Sequence, residues 1–292
     1  MARTQDDATK ELVQFLQKMS EAVVSTSKLV LQVQLRQDYL QQSIDRLTNI
    51  LREQQLRAVG ERDLPRVTLA TKHPVAIHSD DHKSPLGARQ DNTHYPRFVR
   101  RCEQIFQRPL RALDLGCAGG GLVFDFLTRG HMAIGLEGSD YPKRHGAGEW
   151  PLIPNNLFTC DITKPFQLSH EIDGTPCKFE VISMWEVLEH MEEEQLPQLF
   201  ENIKSHLAPD GIFACSVATF ECADEESGAV YHKIVQGKDW WHSKAKHFGF
   251  KLEKNLFSCL DFPRGSGNGP MDWSAERDPQ MGFHMVLRLA SH

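Results

Sequence analysis

The stretch that most limits what this chain can become is Arg111–Val123, RALDLGCAGGGLV. Leu113 and Leu115 read as the apolar residues of a short buried strand, and Asp114 stands two residues before the first glycine. Gly116, Ala118, Gly119, Gly120 and Gly121 then make a turn almost without side chains. Val123, Phe126 and Leu127 follow at the i, i+3, i+4 spacing of a helix. Strand, small-residue turn and helix form the first βα unit of a nucleotide-binding sheet, whose ligand sits where the strand ends. Glycines let the backbone approach that ligand and take dihedrals that a Cβ forbids, and the helix start presents unpaired N–H groups toward it.

The spacing sorts the candidate ligands. A dinucleotide fingerprint needs G-x-G-x-x-G; from Gly116 it fails at Ala118, and from Gly119 it fails at Phe124. A P-loop needs G-x-x-x-x-G-K-[ST]; Gly116 and Gly121 have that separation, but Leu122 stands where lysine is required. What remains, Asp-x-Gly-x-small-x-Gly, resembles motif I of class I S-adenosylmethionine (SAM) methyltransferases. That resemblance implies a ligand without phosphates and with an ammonium near the turn, which suits a carboxylate such as Asp114. Ala118 replaces the family's usual glycine, and alanine fits there if its φ is negative. On this motif alone, a tight βα turn in some other α/β protein stays open.

Further matches arrive in order along the chain. His131–Leu136 reads as a second strand ending in Glu137, 23 residues after Asp114. An acid at that strand end is where a ribose is held by its hydroxyls, and in the family it bonds both. Leu157–Cys160 reads as a third strand followed by Asp161 and Ile162; the resemblance gives the acid the adenine amino group and its neighbour the ring. Phe179–Met184 is a fourth strand running into Trp185-Glu186-Val187-Leu188-Glu189-His190-Met191. This segment resembles the E-V-[LI]-E-H of small-molecule O-methyltransferases of the ubiquinone-biosynthesis type.

Three readings of that segment stand side by side. In the preferred one, Trp185 and Glu186 line the methionine end of the cofactor while His190 faces the acceptor as general base, since in-line methyl transfer to a hydroxyl needs alignment and a route for the proton. In the second, Glu186, Glu189 and His190 share one face of a helical turn and bind a divalent metal with His232, a set used by RNA 2′-O-methyltransferases that act on small-RNA ends. In the third, Glu189 and His190 only hydrogen-bond the neighbouring loops.

Downstream, Leu196–Leu207 is an amphipathic helix, Pro209-Asp210-Gly211 a turn and Ile212–Val217 a fifth strand. Thr219–Tyr231 is an acidic loop on the acceptor side. His232–Phe250 carries the last helix with Trp240 and Trp241, a pair read as core packing rather than an acceptor platform. Phe250–Leu260 and Met281–Leu289 are the terminal strands, with a glycine- and proline-rich loop between them.

Residues 1–60 form a separate element. Leu12, Leu16, Met19, Val23, Thr26, Val30, Val33, Gln37, Leu40, Ile44, Leu47 and Leu51 step by four and three without a break. Ten of these twelve positions are apolar, a seam that favours a parallel two-stranded coiled coil with Gln37 as a register mark. A long helix folded back on the rest of the chain, or docked on a partner's helix, also satisfies the pattern. Residues 61–110 are irregular and punctuated by Pro65, Pro74, Pro85, Pro96 and Pro109, with a helical stretch from Val99 to Phe106. Pro85-Leu86-Gly87 with Asp91-Asn92 resembles the pre-motif segment of some sugar- and polysaccharide-linked methyltransferases, which folds over the cofactor; a surface linker with turn residues accounts for it equally well.

Composition excludes rather than identifies. A net charge of −6 gives no general nucleic-acid binder. No stretch of about 18 apolar residues is present, so neither a membrane span nor a leader is expected. Cys102, Cys117, Cys160, Cys177, Cys215, Cys222 and Cys259 form no C-x-x-C pair and read as reduced thiols of a cytoplasmic protein.

The chain is thus expected to be an α/β protein: a Rossmann-like, doubly wound, seven-stranded sheet with its last strand antiparallel, preceded by an α-helical coiled coil. The expected parts are the coiled coil (1–60), a cap segment (61–110) and a SAM-binding domain (111–292). Asp114, Gly116, Ala118, Gly120 and Trp185 are expected at the methionine end of the cofactor, Glu137 at the ribose, and Asp161 with Ile162 at the adenine. The expected acceptor is a hydroxyl of a small molecule or saccharide, and the expected assembly a homo-oligomer through the coiled coil. The rival classes are a metal-assisted RNA-end methyltransferase, disfavoured by the acidic balance, and an inactive methyltransferase-like assembly protein.

Overall fold

The structure, a computed structural model, describes residues 66–267 and 273–290 and, of the N-terminal segment, residues 15–20, 22–30 and scattered positions up to 57. The chain forms two compact units, Met1–Gln55 and Leu56–His292.

In the second unit the elements run in this order. Strand β1 (Val67–Thr71) is followed by two short helices, α1 (Asp80–Lys83) and α2 (Gly87–Gln90), and by α3 (Pro96–Phe106). Then β2 (Arg111–Leu115), α4 (Gly121–Thr128), β3 (Met132–Glu137), α5 (Tyr141–His145) and β4 (Leu157–Thr159) alternate. After β5 (Phe166–His170) come β6 (Phe179–Trp185), α6 (Leu196–His206) and β7 (Leu207–Ala218). The chain closes with β8 (Ala223–Asp224), β9 (Ala229–Val230), α7 (Lys238–His247), β10 (Phe250–Leu252) and β11 (Gly282–Leu289).

Seven strands join in the order β10-β11-β7-β6-β2-β3-β4. From β7 to β4 neighbours are parallel, and β11 runs antiparallel to both β7 and β10. The alternation of a strand divides its side chains between two cores. Leu113 and Leu115 of β2 pack with Leu199 and Ile203 of α6 and with Trp241 of α7. Ala112, on the opposite face, packs with Phe98 of α3 and with Leu122 and Phe126 of α4. Helices on both faces make the sheet doubly wound, and the strand order turns back beside β2, where such folds gather their ligands.

Several elements differ from expectation, among them the strand expected over Phe250–Leu260, which ends at Leu252, and three further strands. The segment before α1, expected to be irregular, contributes β1, which pairs antiparallel with β5; β5 was not expected either. This two-stranded sheet is tied to the main body by the fully buried His206, whose Nε2 accepts the Leu168 N–H at 3.1 Å while Nδ1–H donates to the Asn202 carbonyl at 2.7 Å. The third is β7, which starts at Leu207 and takes in the expected Pro209–Gly211 turn; a register shift between Phe179 and Val181 absorbs it. Trp241 is fully buried, and the Lys244 ammonium lies over the Trp240 ring at 4.9 Å, so the pair packs as expected.

In the first unit, Leu16, Met19, Val23, Thr26, Val30, Val33, Gln37, Leu40, Leu47 and Leu51 are helical and exposed. Leu12 and Ile44, and with them the unbroken seam, lie outside the described residues. No helix among the described residues is long and apolar enough to cross a membrane. All seven cysteines are free, five of them buried.

Candidate functional site

A cavity of about 380 Å³ opens at the C-terminal ends of β2, β3, β4 and β6. Gly116, Ala118, Glu137, Asp161, Ile162 and Trp185 line it, six of the eight residues expected to hold a cofactor. Gly116 has φ +75°, and a Cβ there would meet the Val187 side chain at 2.5 Å, so the position requires glycine. Ala118 departs from expectation. Its φ is +43°, in the left-handed region, which costs an L-residue roughly 1–2 kcal/mol. Two hydrogen bonds hold it there: its N–H donates to Glu137 Oε2 at 2.8 Å, and its carbonyl accepts from Trp150 Nε1 at 2.9 Å. Glu137 Oε1 accepts the Ser139 N–H at 2.9 Å. Burial raises the Glu137 pKa, and those N–H donors oppose the shift. Asp161 Oδ1 accepts from the Thr163 hydroxyl at 2.6 Å and the Thr163 N–H at 3.0 Å.

Asp114 and Gly120 are not on the cavity wall. The Asp114 carboxyl lies buried beneath the turn and accepts the Ser183 hydroxyl at 2.6 Å. Burial pushes its pKa up to about 7 despite that bond. Gly120, at φ +85°, leaves room for Leu157, which a Cβ would meet at 2.6 Å. The other two glycines of the turn serve the chain's own strap. Gly119 N–H donates to the Asp91 carbonyl at 3.0 Å, and a Cβ on Gly119 or Gly121 would meet Asn92 at 2.6 Å or the Thr93 carbonyl at 2.7 Å.

That strap is clamped by His94. Its Nδ1 lies 2.9 Å from Asp125 Oδ1 and its Nε2 lies 3.0 Å from Glu149 Oε1, while the Tyr95 N–H donates to the second Asp125 oxygen. Burial alone would lower the His94 pKa, but the two carboxylates outweigh it and raise it to about 9. The ring is therefore a cation between two acids at neutral pH.

A second set of residues lines the same cavity, among them Asp80, Asp81, Glu186, His190 and Lys233. Asp80 and Asp81 open α1, where the Ser79 hydroxyl accepts the Asp81 N–H. His190 Nδ1 lies 3.0 Å from Asp81 Oδ2 and 3.1 Å from Oδ1. Burial disfavours the charged ring, but Asp81 more than offsets it and raises the pKa. Lys233 Nζ meets Asp80 Oδ2 at 2.6 Å and holds that carboxyl below its ordinary range. The His232 ring stands edge-on to that of His190, centroids 5.0 Å apart.

The expected face of Glu186, Glu189 and His190 does not form. Only Leu188–His190 makes a 3₁₀ turn, and Glu186 precedes it at φ +54°. Its N–H donates to Ser216 Oγ, and Oε1 accepts the Trp273 indole N–H at 2.8 Å. A single tight turn puts Glu189 and His190 together and leaves Glu186 outside it. Glu189 and His190 are thus joined by His232, as the metal reading had it, but not by Glu186.

Sequence reasoning missed Asp81, Lys233, the His94 clamp and Trp273. Their partners lie far away in the chain, 109 residues for Asp81 and His190, so no local spacing announces them. Ser79 before Asp80-Asp81 was the one available sign, because it reads as a helix cap.

A family model described as a methyltransferase domain matches residues 88–260, more than half of the chain. No curated protein matches the sequence. Among solved structures, the chain is similar to a Burkholderia thailandensis 1,6-didemethyltoxoflavin-N1-methyltransferase with bound S-adenosylhomocysteine, at 17% identity and TM-score 0.46, covering 72% of this chain and 82% of that one. It is also similar to a glycopeptide N-methyltransferase complexed with sinefungin, at 15% identity and TM-score 0.45 over 67% and 94% of the two chains. A third is a TehB-like SAM-dependent methyltransferase from Corynebacterium glutamicum, at 15% identity and TM-score 0.43 over 67% and 88%.

Proposed function

The chain belongs to the methyltransferase-domain family, whose methyl donor is S-adenosylmethionine, and from that premise we propose that it methylates a hydroxyl of a small molecule or saccharide. The observation that carries the reading is that Glu137 and His190 face one cavity.

The residues present suit the donor. Trp185 lines the cavity, and its indole N–H is buried without a hydrogen-bond partner among the described residues. Gly116 and Ala118 offer main chain at the methionine end. Each Glu137 oxygen accepts one N–H and keeps a lone pair for a ribose hydroxyl. Asp161 and Ile162 fit the adenine amino group and ring face. The donor supplies an electrophilic methyl on a sulfonium.

His190 is the side chain that meets the acceptor. Asp81 fixes its Nδ1, so Nε2 is the nitrogen left to take the hydroxyl's proton. As the oxygen–carbon bond forms, the carbon–sulfur bond breaks and its electron pair stays on sulfur. Asp80, Asp81, Glu186 and Glu192 line the wall beside His190, with Lys233 as the cation among them. A phosphate chain would meet carboxylates there, which favours an uncharged hydroxyl over an RNA end. Incubating the protein and donor with sugars and small hydroxylated compounds, and reading the mass of one added methyl group, tests this. Methylation confined to amines or to RNA ends would overturn it.

The N-terminal seam supports a second part of the proposal: a homo-oligomer built through residues 1–60. Ten of its twelve positions are helical and exposed among the described residues, and eight of those ten are apolar. Light scattering on the full chain is expected to give the mass of a dimer; a monomer at micromolar concentration sinks this part.

A further inference from the structure

Among the described residues one cluster offers a metal ion three ligand atoms at once. Glu189, His190 and His232 each contribute an atom, and these lie within 4.8 Å of one another. Three features set them apart from a chance gathering of polar groups.

The first is an orphan oxygen. Glu189 is fully buried, and its Oε1 accepts the Ala218 N–H at 2.8 Å. Its Oε2 is buried with no hydrogen-bond partner. Burying a carboxylate oxygen without a partner is unfavourable, and a cation beside it removes that cost.

The second is how the imidazoles are held. Asp81 engages Nδ1 of His190, and Nδ1–H of His232 donates to the Phe220 carbonyl at 2.6 Å. Among the described residues no hydrogen bond occupies Nε2 of either ring. One nitrogen anchored by a carboxylate or a carbonyl, and the other left as a lone pair, is how metal-ligating histidines are oriented.

The third is the frame. The Glu189 carbonyl accepts the N–H groups of Lys233 at 2.7 Å and Ile234 at 3.0 Å. The segment carrying His232 is therefore fastened to Glu189 itself, so two of the three ligands share one rigid connection.

We propose that Glu189, His190 and His232 form a site for a borderline divalent cation, zinc being the best match, beside the cavity that His190 also lines. Two imidazoles and one carboxylate are the ligands of open zinc sites, whereas magnesium and calcium take oxygen ligands. Bonds of about 2 Å in tetrahedral geometry put ligand atoms about 3.3 Å apart, so the widest pair, within 4.8 Å, has to close by about 1.5 Å at most. The site differs from the one expected from sequence, because Glu186 is turned to Trp273 and is no ligand. It rests on the reading that the acceptor is met at His190; a cation on Nε2 would hold the ring as a ligand in place of its role as base, so the base role belongs to the cation-free chain.

The test uses the full chain, stripped with a chelator and titrated with Co²⁺ by visible absorption and with Zn²⁺ by calorimetry. One cation per chain is expected, with the intense absorption of a four- or five-coordinate cobalt site. Glu189→Gln, which keeps an oxygen for the Ala218 N–H, should weaken binding at least ten-fold. Asp81→Asn should weaken it about ten-fold or more, and Glu186→Gln less than two-fold. Circular dichroism and a cooperative melting curve confirm that each variant is folded; if Glu189→Gln fails that check, His232→Gln takes its place. No stoichiometric binding by the unaltered chain, unchanged binding in Glu189→Gln, or equal losses in Glu186→Gln and Glu189→Gln would each overturn the site. None of these readouts depends on turnover, so failure to find a methylated hydroxyl would leave the cation result standing, and the reverse.

Discussion

Gly116, Ala118, Glu137 and Asp161 stand at or just beyond the ends of neighbouring parallel strands, inside a run of fewer than fifty residues. Asp81, His190 and Lys233, on the other part of the cavity wall, come from a four-residue helix, a single 3₁₀ turn and the segment after β9. The first group is positioned by the ladder of the sheet, which fixes each strand end relative to the next. The second is positioned by side chains that reach across the molecule, such as Asp81 to His190 at 3.0 Å and Asp80 to Lys233 at 2.6 Å. A wall of the first kind suits a ligand that never changes, and a wall of the second kind suits one that does.

Substitutions that strike one wall and spare the other sharpen this contrast. The largest effect is expected on the acceptor side. His190→Ala should lower turnover by roughly 10²- to 10⁴-fold while donor affinity, read by calorimetry, stays within two-fold. Normal turnover would remove His190 from the chemistry. Next comes the donor side. Glu137→Ala deletes the acceptor of two main-chain N–H groups and, with it, the proposed ribose contact. Hydrogen bonds to a charged group contribute about 1.5–3 kcal/mol each, so donor affinity should fall by about 100-fold or more. An unchanged dissociation constant would break the contrast, because the donor would then lie elsewhere.

The smallest effect concerns what joins the two walls. His94→Gln should cost about 2 kcal/mol of stability, a value reduced from that of a fully buried ion pair because the ring is about a quarter exposed. The pH dependence has a definite sign. The His94 pKa is raised from 6.5 to about 9 in the folded chain, so its stabilisation is complete below about 6.5 and is lost as the pH rises through about 9. Melting curves of the two proteins should therefore converge at high pH. A constant difference would show that the clamp does not act through charge.

That these strand-end residues share one cavity wall was legible in the sequence, because strand ends and spacing are local. Leu113, Leu115 and the small residues after them mark one strand end, and Glu137 and Asp161 follow at the next two. The β1–β5 pair left a sign that was not read: Val67-Thr68-Leu69 and Phe166-Gln167-Leu168 alternate apolar and polar residues, the period of a half-buried strand. The prolines before each strand, Pro65 and Pro165, and the short length of both hid it. Ala118 was unreadable in another way, since its left-handed backbone is imposed by Glu137 and Trp150 from outside the turn. Asp114 shows the reverse case, where a fitting residue type at a fitting position is spent on Ser183 beneath the turn. The approach of Asp81 to His190 left no trace in spacing, because nothing shorter than the whole fold brings them together.

The His94 clamp also bears on the order of events during a turnover. A cation held between Asp125 and Glu149 keeps the strap on the turn whether or not the cavity is filled. Neither ligand then has to organise the surface that the other will touch. Such a protein should accept its two ligands in either sequence, rather than wait for the first to build a seat for the second.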